Sequence, residues 1–149
     1  MPRVKPEPDT GARFHDEMMS LIRSLGLHKA DQTPCGEPVS VGDAHALFEI
    51  AREAGITQNG LAQRLSVDKS TASRIAASLE RRGWLRRTRD RSDSRRVLLS
   101  LTTAGTRANQ RIAASRKARF ERIFDAIPSE QRDAVQTSLN ILVEVIRAT

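Results

Sequence analysis

Residues 58–82 constrain this chain most, because they place two short amphipathic helices only a few residues apart. In the first, Leu61, Ala62 and Leu65 share one face. In the second, Ala72, Ile75, Ala76 and Leu79 recur at helical spacing. Thr57 and Asp68 are residue types that cap helix starts. Ser66 and Val67 form the turn between the helices, and Gly83 suits the left-handed position just past a helix end. Two short helices joined by so tight a turn form a helix-turn-helix pattern. Opposite its apolar face the second helix carries Lys69, Ser70, Ser73, Arg74 and Ala77. A face that is small, polar and basic suits entry into a DNA major groove.

The segment that follows reads as a basic hairpin. Trp84–Thr88 and Val97–Leu101 alternate like strands, and residues 89–96 between them are too charged to be buried. Composition matters here because of where the charge lies. The chain carries a net charge of +7, and Lys69 to Arg96 alone hold ten cations against three acids. That difference equals the surplus of the whole chain and argues for an anionic partner, nucleic acid first. Arg91, Arg95 and Arg96 on a narrow projection fit a minor groove, where A·T-rich DNA has enhanced negative potential. Asp93 is expected to hold the Arg95 side chain extended by a charge-assisted hydrogen bond. At the start of the second helix, Lys69, Ser70 and Thr71 can donate to phosphates, while Ser73 and Arg74 reach base edges. Arginine pairs bidentately with guanine. Trp84 is expected to anchor the hairpin to the core.

The remaining chain reads as scaffold. Residues 1–10 look like a flexible arm. Thr10 can cap a helix running to about His28, with Phe14, Met18, Leu21, Ile22 and Leu25 on one face. Ser40 caps the next helix, whose inward residues are predicted as Val41, Ala44, Leu47, Phe48 and Ala51, with Gly55 at its end. Thr102 caps a long helix to Ile127, broken by Pro128. Ser129 is predicted to cap the last helix, where Val135, Leu139, Leu142, Val143 and Ile146 form a stripe. These terminal helices have no evident local cover, so a dimer is expected.

Other chemistries find little support. Cys35 has no partner for an internal disulfide. His15, His28 and His45 are isolated and match no metal-ligand spacing, so no metal site is predicted. Ser66-Val67-Asp68-Lys69 fits Ser-x-x-Lys, but its companion motifs are missing, and no phosphate-binding glycine loop or nucleophile elbow occurs. No enzyme activity and no cofactor are expected. No apolar run is long enough to span a bilayer, and the first residues lack a signal-peptide core. A cytoplasmic location follows, nucleoid-associated when DNA is bound, with no membrane partner.

In this order the residues resemble the MarR family of bacterial winged helix-turn-helix regulators. The matching text is Gly60-Leu61-Ala62 through Leu65, Asp68 through Arg74, Leu79-Glu80-Arg81-Arg82-Gly83-Trp84, Asp90 through Arg96, and Leu101-Thr102-Thr103-Ala104-Gly105. The resemblance is specific over about residues 40 to 106 and looser over the rest. It implies a homodimer with interlocking N- and C-terminal helices, each subunit presenting one recognition helix and one wing. It assigns major-groove reading to Ser70, Thr71, Ser73 and Arg74, and minor-groove entry to Arg95 steadied by Asp93. It also implies a repressor released from DNA by a small effector whose identity the residues do not name. Relatives that sense peroxide use a cysteine on the first helix with supporting tyrosines. Cys35 lies after that helix and tyrosine is absent, so no such switch is expected.

The expected fold is therefore mainly α with a small β-hairpin wing. One domain would span 1–149, with an arm at 1–10, dimerisation helices at 11–39 and 103–149, and a DNA-binding lobe at 40–102. The candidate DNA contacts are Thr57, Lys69, Ser70, Thr71, Ser73, Arg74, Arg91, Asp93, Arg95 and Arg96. The expected partners are double-stranded DNA at a near-palindromic operator, a second copy of the chain, and a small-molecule effector. Two other readings fit the residues alone: a DNA-coating protein without sequence preference, and a protein–protein adaptor.

Overall fold

The computed structural model describes residues 10–149, so the arm expected at the N-terminus lies, but for Thr10, outside the described residues. The element order is α1 (Thr10–Leu25), α2 (Val41–Arg52), β1 (Ile56–Thr57), α3 (Gln58–Leu65), α4 (Lys69–Arg81), β2 (Leu85–Arg89), β3 (Val97–Leu101), α5 (Thr103–Ala126), a 3-10 turn (Ser129–Gln131) and α6 (Arg132–Ala148). The fold is mainly helical with one small antiparallel sheet, ordered β1-β3-β2. The chain forms two compact units, one ending at Ile112 and one spanning 113–149.

In the first unit the caps form as their residue types require. Ser40, Thr57 and Asp68 each accept a hydrogen bond from the backbone N–H three residues on, closing α2, α3 and α4. Ser66 takes the left-handed conformation that ends α3. Gly83, also left-handed, ends α4 and turns the chain into β2. The helix α1 stops at Leu25, short of His28, because Gly26 adopts a positive φ there.

The core gathers Val39, Ala46, Leu47, Ile50, Ile56, Leu61, Leu79, Leu85 and Leu99, with Ala108 and Ile112 from α5. One expectation for α2 fails. Ala44 and Leu47 are buried, but Phe48 and Ala51 face outward, and Ala46 and Ile50 take the inner positions. The face is set by where α3, α4 and β3 pack against α2. It is centred on residues 43, 46, 47 and 50. Phe48 on the outer side lies under the Arg52 guanidinium instead, 5.6 Å from it.

Ile56 and the cap residue Thr57, which show no strand periodicity in the sequence, pair with Leu99 and Leu98. This short strand ties the start of α3 to the hairpin. At the hairpin's base, Thr102 donates its backbone N–H to the Trp84 carbonyl (3.0 Å) and its hydroxyl to the Gly83 carbonyl (2.6 Å). Its hydroxyl oxygen also accepts the Gly105 N–H, so one threonine closes the hairpin and caps α5. Trp84 packs partly buried against the core, with Arg82 over its ring at 5.1 Å.

In the second unit, Ser129 does not cap α6. Its hydroxyl bonds Glu130 inside a 3-10 turn, and α6 begins at Arg132 without a side-chain cap. Pro128 cannot continue a helix, and the three residues after it complete a tight turn before α-helical spacing resumes. Arg132 closes the other side of this corner. Its guanidinium donates to the carbonyls of Ile127 (3.1 Å) and Asp125 (3.0 Å) and lies over Phe124 at 4.9 Å. These are the orphan carbonyls at the end of α5. The helix α6 buries none of its residues, and neither does α1 in the first unit.

Candidate nucleic-acid interface

The outer face of α4 is exposed at Lys69, Ser70 and Arg74, and half-buried at Thr71, Ser73 and Ala77. The cap organises this face. One Asp68 carboxylate oxygen accepts the Thr71 N–H and the other accepts the Thr71 hydroxyl, both at 2.8 Å. The Thr71 oxygen in turn accepts a hydrogen bond from the Arg74 guanidinium at 3.0 Å. A relay thus runs from the cap through Thr71 to Arg74 and directs the arginine along the helix. The amide and hydroxyl of Thr71 hold the Asp68 carboxyl below its ordinary value.

The wing tip is built from short local bonds. The Asp90 carboxylate accepts the Ser92 amide at 2.9 Å and its hydroxyl at 2.7 Å, and these two bonds, with Arg96 nearby, lower its pKa. The Asp90 N–H donates to the Arg96 carbonyl, and the Arg96 N–H donates to the Asp93 carbonyl. Arg91, Asp93, Arg95 and Arg96 are all exposed.

The expected salt link between Asp93 and the Arg95 side chain is not what forms. The Asp93 carboxylate accepts the backbone N–H of Arg95 at 3.0 Å. Asp93 lies two residues before Arg95, the spacing at which an aspartate closes a turn on the following backbone. It therefore fixes the direction of the chain at Arg95. Among the described residues the Arg95 guanidinium has no hydrogen bond or ion pair, so its donors stay available.

Two notches connect the helix to the wing. One is lined by Thr57, Gln58, Asn59, Arg95, Arg96 and Val97. The other is lined by Asn59, Ala62, Gln63, Ser66, Val67, Asp68 and Lys69. Asn59 belongs to both, so one surface runs from the wing arginines across the start of α3 to the start of α4. Thr57 sits on it half-buried, its hydroxyl spent on the Gly60 N–H. Of the candidate residues, Thr57, Lys69, Arg95 and Arg96 line this surface. Asn59 and Gln63 were not singled out from sequence. Their position on the helix preceding the recognition helix was the available signal.

A helix-turn-helix followed by a β-hairpin with an arginine-bearing tip, completed to a three-stranded sheet by β1, defines a winged helix-turn-helix protein. The model of the MarR family matches residues 38–96. Over that stretch the chain is similar to the MarR family. An HTH-type transcriptional regulator of Mycobacterium leprae is 28% identical over 141 residues, covering 93% of this chain and 96% of the relative. A second such regulator, from Mycobacterium tuberculosis, is 26% identical with the same coverage. Among solved structures, the PcaV regulator of Streptomyces coelicolor is 26% identical with a TM-score of 0.72, covering 92% of this chain and 98% of its own. A complex of PcaV with its natural ligand aligns at 27% identity and a TM-score of 0.65, covering 97% of each chain. FabT of Streptococcus pneumoniae, solved with DNA, shares the fold at 22% identity and a TM-score of 0.73, covering 92% of this chain and 97% of its own.

No helix among the described residues is long and apolar enough to cross a membrane.

Proposed function

We propose that the chain is a homodimeric repressor that recognises a near-palindromic operator and is released by a small effector. The carrying observation is the continuous surface that joins the start of α4 to the wing arginines through Asn59. On this reading Ser70, Thr71, Ser73 and Arg74 face the major groove, with Lys69 on a phosphate. Arg95 enters the minor groove, Asp93 sets its backbone, and Arg91, Arg96 and Thr57 border the DNA backbone. The relay through Thr71 keeps Arg74 extended before contact, which lowers the ordering cost of binding.

Exposed apolar side chains support the dimer. Phe14 and Leu21 on α1 are exposed, as are Leu139, Val143 and Ile146 on α6, the last at 61%. Helical stripes of this kind are normally covered. Two recognition helices held by such a dimer would lie about one turn of DNA apart, which makes the operator a near-palindrome. An effector works by preferring the dimer state whose helix spacing misfits the duplex. PcaV, which binds a natural ligand, lends weight to that part of the reading.

Selection of bound duplexes from a random pool tests this directly, with sedimentation of the protein alone alongside it. Enrichment of a two-fold-related sequence and a dimeric sedimentation coefficient are expected. A stable monomer, or a pool that stays random after repeated rounds, refutes the proposal.

A further inference from the structure

Arg87 is a cation on the wrong side of its strand. In β2, Leu85 faces the core, and Arg87, two residues on, faces the same way, paired across the ladder with the buried Leu99. An inward charge is costly unless it is partnered. Here the partners come from two other elements. The Arg87 Nη1 donates to the Gln58 side-chain oxygen at 3.2 Å. Its Nε, itself shielded from solvent, lies 3.2 Å from a carboxylate oxygen of Glu80. That second contact is an ion pair and not an aligned hydrogen bond. Gln58 is the first residue of α3, and Glu80 lies in the last turn of α4.

One guanidinium therefore ties the wing to both helices of the helix-turn-helix. Gln58 also lines the notch that contains Arg95 and Arg96. The wing is also tied by the two-residue pairing of β1, at the same level of the ladder as Arg87, by the turn at Gly83 and Trp84 at its base, and by Leu85 and Leu99 in the core. Arg87 alone adds a polar tie from β2 to both helices. A two-stranded ribbon twists easily, so its tip needs a brace. We propose that Arg87 is a positioning residue for DNA recognition: it sets the angle between wing and recognition helix so that Arg95 and Arg74 meet one duplex. This rests on the reading above, in which both arginines touch the same DNA.

The test is a double-mutant cycle on a duplex that the wild-type protein selects from a random pool. Arg87→Met keeps the apolar stem and removes both polar ties. Affinity should fall by a factor similar to that of Arg95→Ala, with helical content and cooperative melting retained. Arg95→Ala added to Arg87→Met should then cost little more, because the wing contact is already lost. Arg87→Lys, which reaches one partner only, should recover part of the loss. Glu80→Gln removes one tie without touching the arginine and should show the same non-additivity, which covers the case of an Arg87→Met protein that does not fold. Losses that multiply independently overturn the proposal, as does full affinity in Arg87→Met or Glu80→Gln while Arg95→Ala still weakens binding. If Arg95→Ala alone changes nothing, the wing reading itself falls, and this proposal falls with it.

Discussion

Gly105 is where a single methyl group should do the most damage. It sits buried in the first turn of α5, against the base of the wing. A Cβ built there would lie 2.0 Å from the Trp84 carbonyl oxygen, 2.8 Å from its carbon and 3.1 Å from its Cα. All three atoms are backbone, so no rotamer change relieves the clash. Ordinary contact begins at 3.4 Å, so the start of α5 and the wing base must part by about 1.4 Å. The same carbonyl accepts the Thr102 N–H, and Thr102 also holds the Gly83 carbonyl. Separation breaks or stretches both bonds. Overpacking costs about 1–3 kcal/mol, and a lost hydrogen bond adds about 1 kcal/mol. Alanine's better helix propensity returns at most about 1 kcal/mol. The net expectation for Gly105→Ala is a loss of roughly 2 kcal/mol, or a fall in Tm of roughly 4–8 °C at this chain length. Thermal and urea unfolding at one fixed protein concentration measure it, since assembly makes stability concentration-dependent. Ala104→Gly, at an exposed position of the same turn, controls for propensity. A Gly105→Ala protein as stable as wild type would show that α5 does not press on the wing base.

Arg74→Ala should cost roughly 1–3 kcal/mol of DNA affinity and relax preference at one base-pair position; equal losses on every sequence would argue against base reading. Arg95→Ala should lower the salt slope of binding by about 1 without changing the sedimentation coefficient, and an unchanged slope removes the wing from the mechanism. Ser78→Ala takes away the hydroxyl that donates to the buried Asp43 at 2.8 Å. Chemical denaturation should report a loss of roughly 1.5–3 kcal/mol, and no loss means that water replaces the hydroxyl. Asp68 has a folded pKa below its ordinary 3.8, so its cap contributes fully above that value and is lost as pH falls through the lower, folded one. Asp68→Asn, a neutral cap, should flatten the decline in Tm below about pH 4. Asp90, lowered in the same direction, accounts for part of what remains, and an identical decline in both proteins would contradict the assignment.

The parts of this fold written in local chemistry were readable in advance. Ser40, Thr57, Asp68 and Thr102 cap because their short oxygens reach a nearby N–H, and Gly83 turns because no Cβ opposes it. What failed depends on partners distant in sequence. Phe48 belongs to an apolar pattern, yet the direction from which α3, α4 and β3 approach decides which side of α2 is inside. The strand Ile56–Thr57 exists only because β3 comes beside it, and two residues carry no periodicity of their own. Ser129 follows a proline and is a good capping type, but the corner closes through Arg132 from the other side. In the candidate interface, residue types were legible and roles were less so. Arg87 was one cation among ten in its segment until its strand partner placed it inward.

The arginines of this segment thus divide by what holds them. Arg87 is bound through its guanidinium, which suits a brace and not a reader, because reaching DNA would break its ion pair with Glu80 and its bond to Gln58. Arg95 is bound through its backbone, so its direction is set while every side-chain donor remains. Arg74 lies between these cases, donating to a neutral hydroxyl that a phosphate or a guanine edge outcompetes. A carboxylate in place of Thr71 would remove that difference. Thr71→Glu should lock Arg74 in an intrahelical ion pair and weaken DNA binding more than Thr71→Ala, which only loosens it. Added salt separates the two explanations. If the stronger loss came merely from a negative charge near phosphates, screening would relieve it in parallel with an Arg74→Ala, Thr71→Glu double variant. If it came from the locked arginine, the double variant would lose no more than Arg74→Ala alone.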